Sequence, residues 1–137
     1  MGSRRVCGHG IWGGVFALTL AAGCSPPADP PSAMTGADVA DFQSSISEAD
    51  TVLVDFWAPW CGPCVQMAPE IAALKKDPPV EMDVVKINID EDSETASRFG
   101  VSAIPHVFVL HDGRVVADQV GFTDQAGLRD LIRDSVD

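Results

Sequence analysis

The run TVLVDFW at positions 51–57 sets the strongest limit on what this chain can fold into. It has strand length, is rich in β-branched and aromatic residues, and is apolar at nearly every position rather than at alternate ones. A strand of that kind needs cover on both faces, which places it in the middle of a sheet packed between layers of helix. The flanking segments supply those helices. Val39, Phe42 and Ile46 recur at helical spacing and predict a short helix ending near Asp50. Met67, Ile71 and Leu74 share one face of a second helix that Cys61 should open and Pro69 should kink.

Further along, DVVKINID at 83–90 reads as a strand, and SETASRFG as a short helix stopped by Gly100. HVFVL and RVVADQV flank His111-Asp112-Gly113, an Asp-Gly hairpin turn between antiparallel strands. Thr123 is placed to cap a last helix whose Leu128, Leu131, Ile132 and Val136 point inward. The order α, β, α, β, α, β, β, α predicts an α/β fold: parallel crossovers and then a hairpin, a mixed sheet, and helices on both faces.

A length of 137 residues and an apolar fraction of 46% suit one domain with a real core. The formal net charge of −11 argues against nucleic acid as a partner, because phosphates require a basic patch. Arg4 and Arg5 precede position 24 and all 20 acidic residues follow it, so a chain cut there would be more acidic still.

That cut is expected. Arg4 and Arg5 are followed by the apolar run IWGGVFALTLAA and then Gly23 and Cys24, the three parts of a secretory signal. The run is shorter than the roughly 20 residues that span a bilayer. Leu20-Ala21-Ala22-Gly23-Cys24 resembles the lipobox of bacterial lipoproteins, with Ala21 where that family usually has leucine. The resemblance implies a signal peptide over 1–23 and a lipid on Cys24. It places the protein in a bacterial cell envelope, anchored to a membrane and facing the extracytoplasmic, periplasmic side. Residues 24–36 contain SPPADPPSAMTG, a proline-rich tether that would hold a domain over 37–137 away from the surface.

Cys61 and Cys64 carry the chemistry. A cysteine at a helix N-terminus meets unsatisfied backbone N–H groups and the positive end of the helix dipole, which favour the thiolate. Cys61 is therefore expected to attack, and Cys64, one turn inside and more shielded, to resolve the mixed disulfide. Asp55 sits in the middle of the apolar strand, where burial would raise its pKa and let it hold or accept a proton near neutrality. Lys86, in the next strand, could pair with it, and the pair reads either as a proton relay or as a structural ion pair. The competing reading of the cysteines is half a zinc site. Cys7 would leave with the signal, Cys24 would be lipidated, and His106 is the one further ligand in view, so the expectation is no metal.

LVDFWAPWCGPC, VVKINID and AIPHVFVLHDGRVVADQVG, in that order and at that spacing, resemble the thioredoxin family over about a hundred residues. The resemblance implies the thioredoxin fold, in which a first strand precedes the first helix; here that region is PSAMTG, so this edge strand is expected to be short or missing. It implies a redox-active Cys61–Cys64 disulfide with no separate cofactor, Cys61 as nucleophile and Cys64 as resolving thiol, Asp55 as buried acid-base group and Lys86 as its neighbour. Trp57 and Trp60 would flank the site, and Trp60, Gly62, Pro63, Ile104, Pro105 and Gly121 would line the client groove. Pro105 would be the family's cis-proline, and Gly121 the glycine that leaves room beside the groove.

Two departures bear on partner choice and potential. His106 stands where thioredoxins usually carry threonine, and Val65 where many carry lysine. A histidine near the dithiol would favour the thiolate when protonated; otherwise it is a strand-end histidine with no role. The expected function is a tethered, monomeric protein-disulfide reductase outside the cytoplasm. It would draw electrons from a membrane donor and pass them to exported disulfide-containing proteins, apocytochromes among them. The alternatives are a disulfide oxidase or isomerase, and a lipoprotein that holds clients without turnover.

Overall fold

Thr35 begins the described chain with a capping box: its hydroxyl accepts from the Asp38 backbone N–H, and the Asp38 carboxylate accepts in return from the Thr35 backbone. The computed structural model describes residues 35–136. The expectations for Arg4, Arg5, Cys7, the apolar run, Cys24 and most of the proline-rich tether fall outside them.

From the cap runs α1 (Gly36–Ile46), then β1 (Thr51–Trp57), α2 (Gly62–Lys76), β2 (Asp83–Asn88), α3 (Ser93–Arg98), β3 (His106–His111), β4 (Arg114–Val120) and α4 (Gln125–Val136). This is the order the hydrophobic pattern predicts. The sheet order is β2-β1-β3-β4, with β1 parallel to β2 and antiparallel to β3, and β3 antiparallel to β4. Among the described residues no strand precedes α1, and β2 is an edge of the sheet.

Strand β1 is buried on both faces, as its unbroken apolar run requires. Its alternate side chains serve two cores. Val52, Val54 and Phe56 join Val39 of α1, Ala96 of α3, and Phe108 and Leu110 of β3. Phe42, Phe56, Phe99 and Phe108 form an aromatic cluster there, with tilted and edge-to-face contacts at 5.1–5.6 Å between centroids. On the other face Leu53, Val107 and Val109 pack against Met67, Ile71 and Leu74 of α2 and Leu128 and Ile132 of α4.

Two local expectations need correction. Strand β2 stops at Asn88 rather than running to Asp90, because the Asn88 side chain accepts from the Asp90 N–H and turns the chain. The cap of α4 is Asp124, one residue after Thr123: its Oδ1 accepts from the Gly127 N–H and its backbone carbonyl from the Leu128 N–H. Helix α2 carries Pro69 inside its span from Gly62 to Lys76. Elsewhere the local signals hold. Gly100, at φ +70°, closes α3 in a Schellman turn, with bonds from the Gly100 N–H to the Ser97 carbonyl and from the Val101 N–H to the Ala96 carbonyl. Asp112 and Gly113, at φ 49° and 73°, form the two-residue hairpin turn.

Candidate redox site

Everything needed at the dithiol converges where β1 ends and α2 begins. Cys61 is the N-cap of α2, and its Sγ accepts from the Cys64 backbone N–H at 3.3 Å. Gly62 and Pro63 occupy the first turn, where a proline sacrifices no helical hydrogen bond. This geometry brings the Cys61 and Cys64 Cα atoms to 5.3 Å, and the two cysteines are joined by a disulfide. Both are buried, Cys61 at 6% exposure and Cys64 at 3%. Ala58 completes the small cluster, and Trp57, Ile89 and Ile104 pack against it.

Asp55 lies two residues before the end of β1 on the face shared with Leu53, the face that α2 covers. It is 2% exposed, and its Oδ1 has no hydrogen-bond partner. Burial pushes the Asp55 carboxyl above the ordinary carboxylate range, and the Lys86 ammonium draws it part of the way back. Lys86 is the direct register partner of Asp55 in the parallel pair, with Nζ 3.6 Å from Oδ2. Because β2 is an edge strand, Lys86 is 36% exposed; its ammonium sits 4.7 Å from the Trp57 ring centroid. The ion pair therefore has one buried and one solvated member.

Next to the disulfide along the chain, Trp60 is 67% exposed and Val65 is exposed too. Trp60, Ile89, Val101, Ser102, Ala103 and Ile104 line a depression of about 340 Å³ beside the disulfide. Trp60 is held by its Nε1–H, which donates to the two Asp90 oxygens at 3.0 and 3.3 Å. The sequence reading missed Asp90 because it extended the strand over that position. The Asn88-x-Asp90 pattern that ends the strand was the available signal.

The Ile104–Pro105 peptide is cis, and the Pro105 carbonyl accepts from the Gly121 N–H at 2.8 Å. Gly121 stands in open space, since a Cβ there would meet nothing within 4 Å, and its φ of +89° aims its N–H at Pro105. Gly62 likewise stands in open space. His106 is on the aromatic face of the sheet, its ring centroid 4.1 Å from that of Phe108, and its Nε2 donates to Asp118 Oδ2 at 2.9 Å. Among the described residues no group of three His, Cys, Asp or Glu side chains could hold a metal ion.

A redox-active disulfide at the mouth of a helix, backed by a buried carboxylic acid and flanked by the exposed Trp60 and Val65, defines a thiol-disulfide oxidoreductase. Comparison with known proteins agrees. The thioredoxin family model matches residues 34–134. Thioredoxin of Bacillus subtilis (strain 168) is 45% identical over 91 residues, covering 66% of this chain and 86% of that one. Thioredoxin of Haemophilus influenzae is 39% identical over 98 residues, covering 71% and 92%. The crystal structure of oxidized mitochondrial thioredoxin 3 from Saccharomyces cerevisiae superposes with a TM-score of 0.62 at 31% identity, covering 69% of this chain and 87% of that one. The chain belongs to the thioredoxin family, whose members use the redox-active disulfide itself and no further cofactor.

Proposed function

We propose that the chain is a monomeric protein-disulfide reductase held by a lipid on Cys24 at the extracytoplasmic face of a bacterial envelope membrane. The disulfide capping α2, with Asp55 on the covered face of β1, is the observation that carries the chemistry. In the reduced protein the α2 N-terminus favours the Cys61 thiolate. That thiolate attacks one sulfur of a client disulfide; the new bond joins Cys61 to the client, and the other client sulfur leaves as a thiolate. Asp55, as carboxylate, takes the proton of the Cys64 thiol. Cys64 then attacks Cys61 Sγ, forming the intramolecular disulfide and releasing the second client thiolate. The client gains two electrons and Cys61–Cys64 loses two.

Gly62-Pro63 between the cysteines supports the reducing direction by resemblance to the reducing branch of the family. Turnover outside the cytoplasm then needs a membrane electron donor. Exported disulfide-containing proteins, including apocytochromes before haem attachment, are the clients this reading implies. LAAGCSPP supports the tether. Cys64→Ser expressed in the native host should accumulate mixed disulfides through Cys61, identifiable by mass spectrometry and absent when Cys61→Ala is added. Trapping that survives the loss of Cys61 overturns the assignment of the nucleophile. Recovery of soluble protein with an unmodified Cys24 overturns the tether. A purified protein that oxidises dithiol peptides but does not reduce insulin overturns the direction.

A further inference from the structure

His106 is a buried polar residue that the redox chemistry does not use. It is 7% exposed, and its Nδ1 has no hydrogen-bond partner. An unpartnered buried nitrogen is unfavourable, and a threonine or an aromatic at the same point would avoid it. Its single polar contact is with Asp118 across the sheet.

That contact exists because of an irregularity. Between Val109 and Leu110 the β3–β4 register shifts: Leu110 opposes Val115 while Val109 opposes Ala117, leaving Val116 as an extra residue. In an unshifted hairpin Asp118 would oppose Val107 and share the face covered by α2 and α4. The bulge moves it opposite Phe108 and onto the face of His106.

We infer that His106 and Asp118 form a positioning clamp for the client-binding corner made by Pro105 and Gly121. This rests on the reading of that corner as part of the client groove. Strand β4 is an edge, and nearly all of it is exposed, so apolar burial does little to hold its end. Two polar contacts add to the β3–β4 ladder there. The Gly121 N–H bonds to the Pro105 carbonyl on one side of the His106–Val120 pair, and His106 bonds to Asp118 on the other. Ile104, next to Pro105, packs on the disulfide cluster. The clamp thus sets where the corner stands relative to the sulfurs without touching them. Its effect falls on client binding and leaves the potential of the dithiol unchanged.

The test measures KM and kcat of the full-length protein on a disulfide-bonded peptide, together with the Cys61–Cys64 potential in a glutathione buffer. Asp118→Ala, at a side chain 53% exposed, leaves the core intact and should raise KM roughly three- to tenfold, the scale of one hydrogen bond. Both kcat and the potential should stay unchanged. Asp118→Asn, which keeps an acceptor for Nε2, should restore KM. The His106→Ala, Asp118→Ala double variant should be no worse than His106→Ala alone, as coupled partners require. An unchanged KM in Asp118→Ala, beside a wild type that turns over, overturns the clamp alone. A shifted potential with KM unchanged also overturns it, in favour of direct action of His106 on the dithiol. A wild type that does not reduce the peptide overturns both the clamp and the proposed function.

Discussion

Asp55→Asn should make the oxidised protein more stable at neutral pH and less active. The carboxyl is 2% exposed, one oxygen has no partner, and the other faces Lys86 at 3.6 Å, longer than a hydrogen bond. Lys86 is half-solvated, so removing the carboxylate strands no buried charge, and the usual penalty for breaking a buried ion pair is absent. Replacing a poorly compensated buried charge by a neutral side chain of the same shape should stabilise by about 1–4 kcal/mol. With a urea m-value of roughly 1–3 kcal/mol/M, the midpoint should rise by on the order of 1 M. The folded-state pKa of Asp55 is raised, so the folded protein binds the proton more tightly than the unfolded chain. The wild type therefore has its full stability below the unfolded value of about 3.9 and loses stability as pH rises through the folded pKa. The advantage of Asp55→Asn should be absent in acid, grow across that window and then stay constant. Urea melts of both proteins from pH 3.5 to 9 read it directly. An advantage of equal size at every pH would refute charge burial as the cause. Insulin reduction should fall about tenfold or more, toward the roughly 10²–10⁴-fold ordinary for a lost general base.

Lys86→Met should push the Asp55 titration further up, seen as a stability loss that extends to higher pH than in the wild type. Phe56→Ala removes the ring packed between Phe99 and Phe108 and should cost about 3–5 kcal/mol in urea unfolding. Gly113→Ala meets both a φ of +73° and the Ala40 Cβ at 2.6 Å, and should lower stability by roughly 1–3 kcal/mol in the same assay. Asp90→Ala frees the Trp60 indole; its Nε1–H should exchange faster with water by NMR, while stability changes by no more than about 0.5 kcal/mol.

Those residues also mark how far the sequence could be read. The two-faced burial of Thr51–Trp57, the Asp-Gly turn and the Gly100 stop are local signals, and each is found where its pattern placed it. The cysteine pair was equally legible, because helix capping depends only on neighbours in sequence. Asp55 and Lys86 came next: two apolar strands joined by one crossover pair in parallel, and a polar residue inside each invites contact. Contacts settled by competition or by register were not legible. Thr123 and Asp124 both suit a cap, and the choice falls on the residue whose carbonyl also starts the helical ladder. Asp90 binds Trp60 only because Asn88 stops the strand early.

His106 shows the limit most clearly. Proximity in sequence to Pro105 left two readings open, an effect on the dithiol thiolate and a strand-end histidine with no role. Strand alternation sends its ring to the Phe108 face, away from α2, so adjacency along the chain becomes separation across the sheet. Its partner is then chosen by one extra residue, Val116, ten positions away. Take the register shift away, and Asp118 passes to the opposite face while Gln119 moves opposite His106, so the contact of His106 with Asp118 exists only while the bulge persists. The irregular strand and the unusual histidine are therefore one structural feature, and neither can be interpreted from its own neighbourhood.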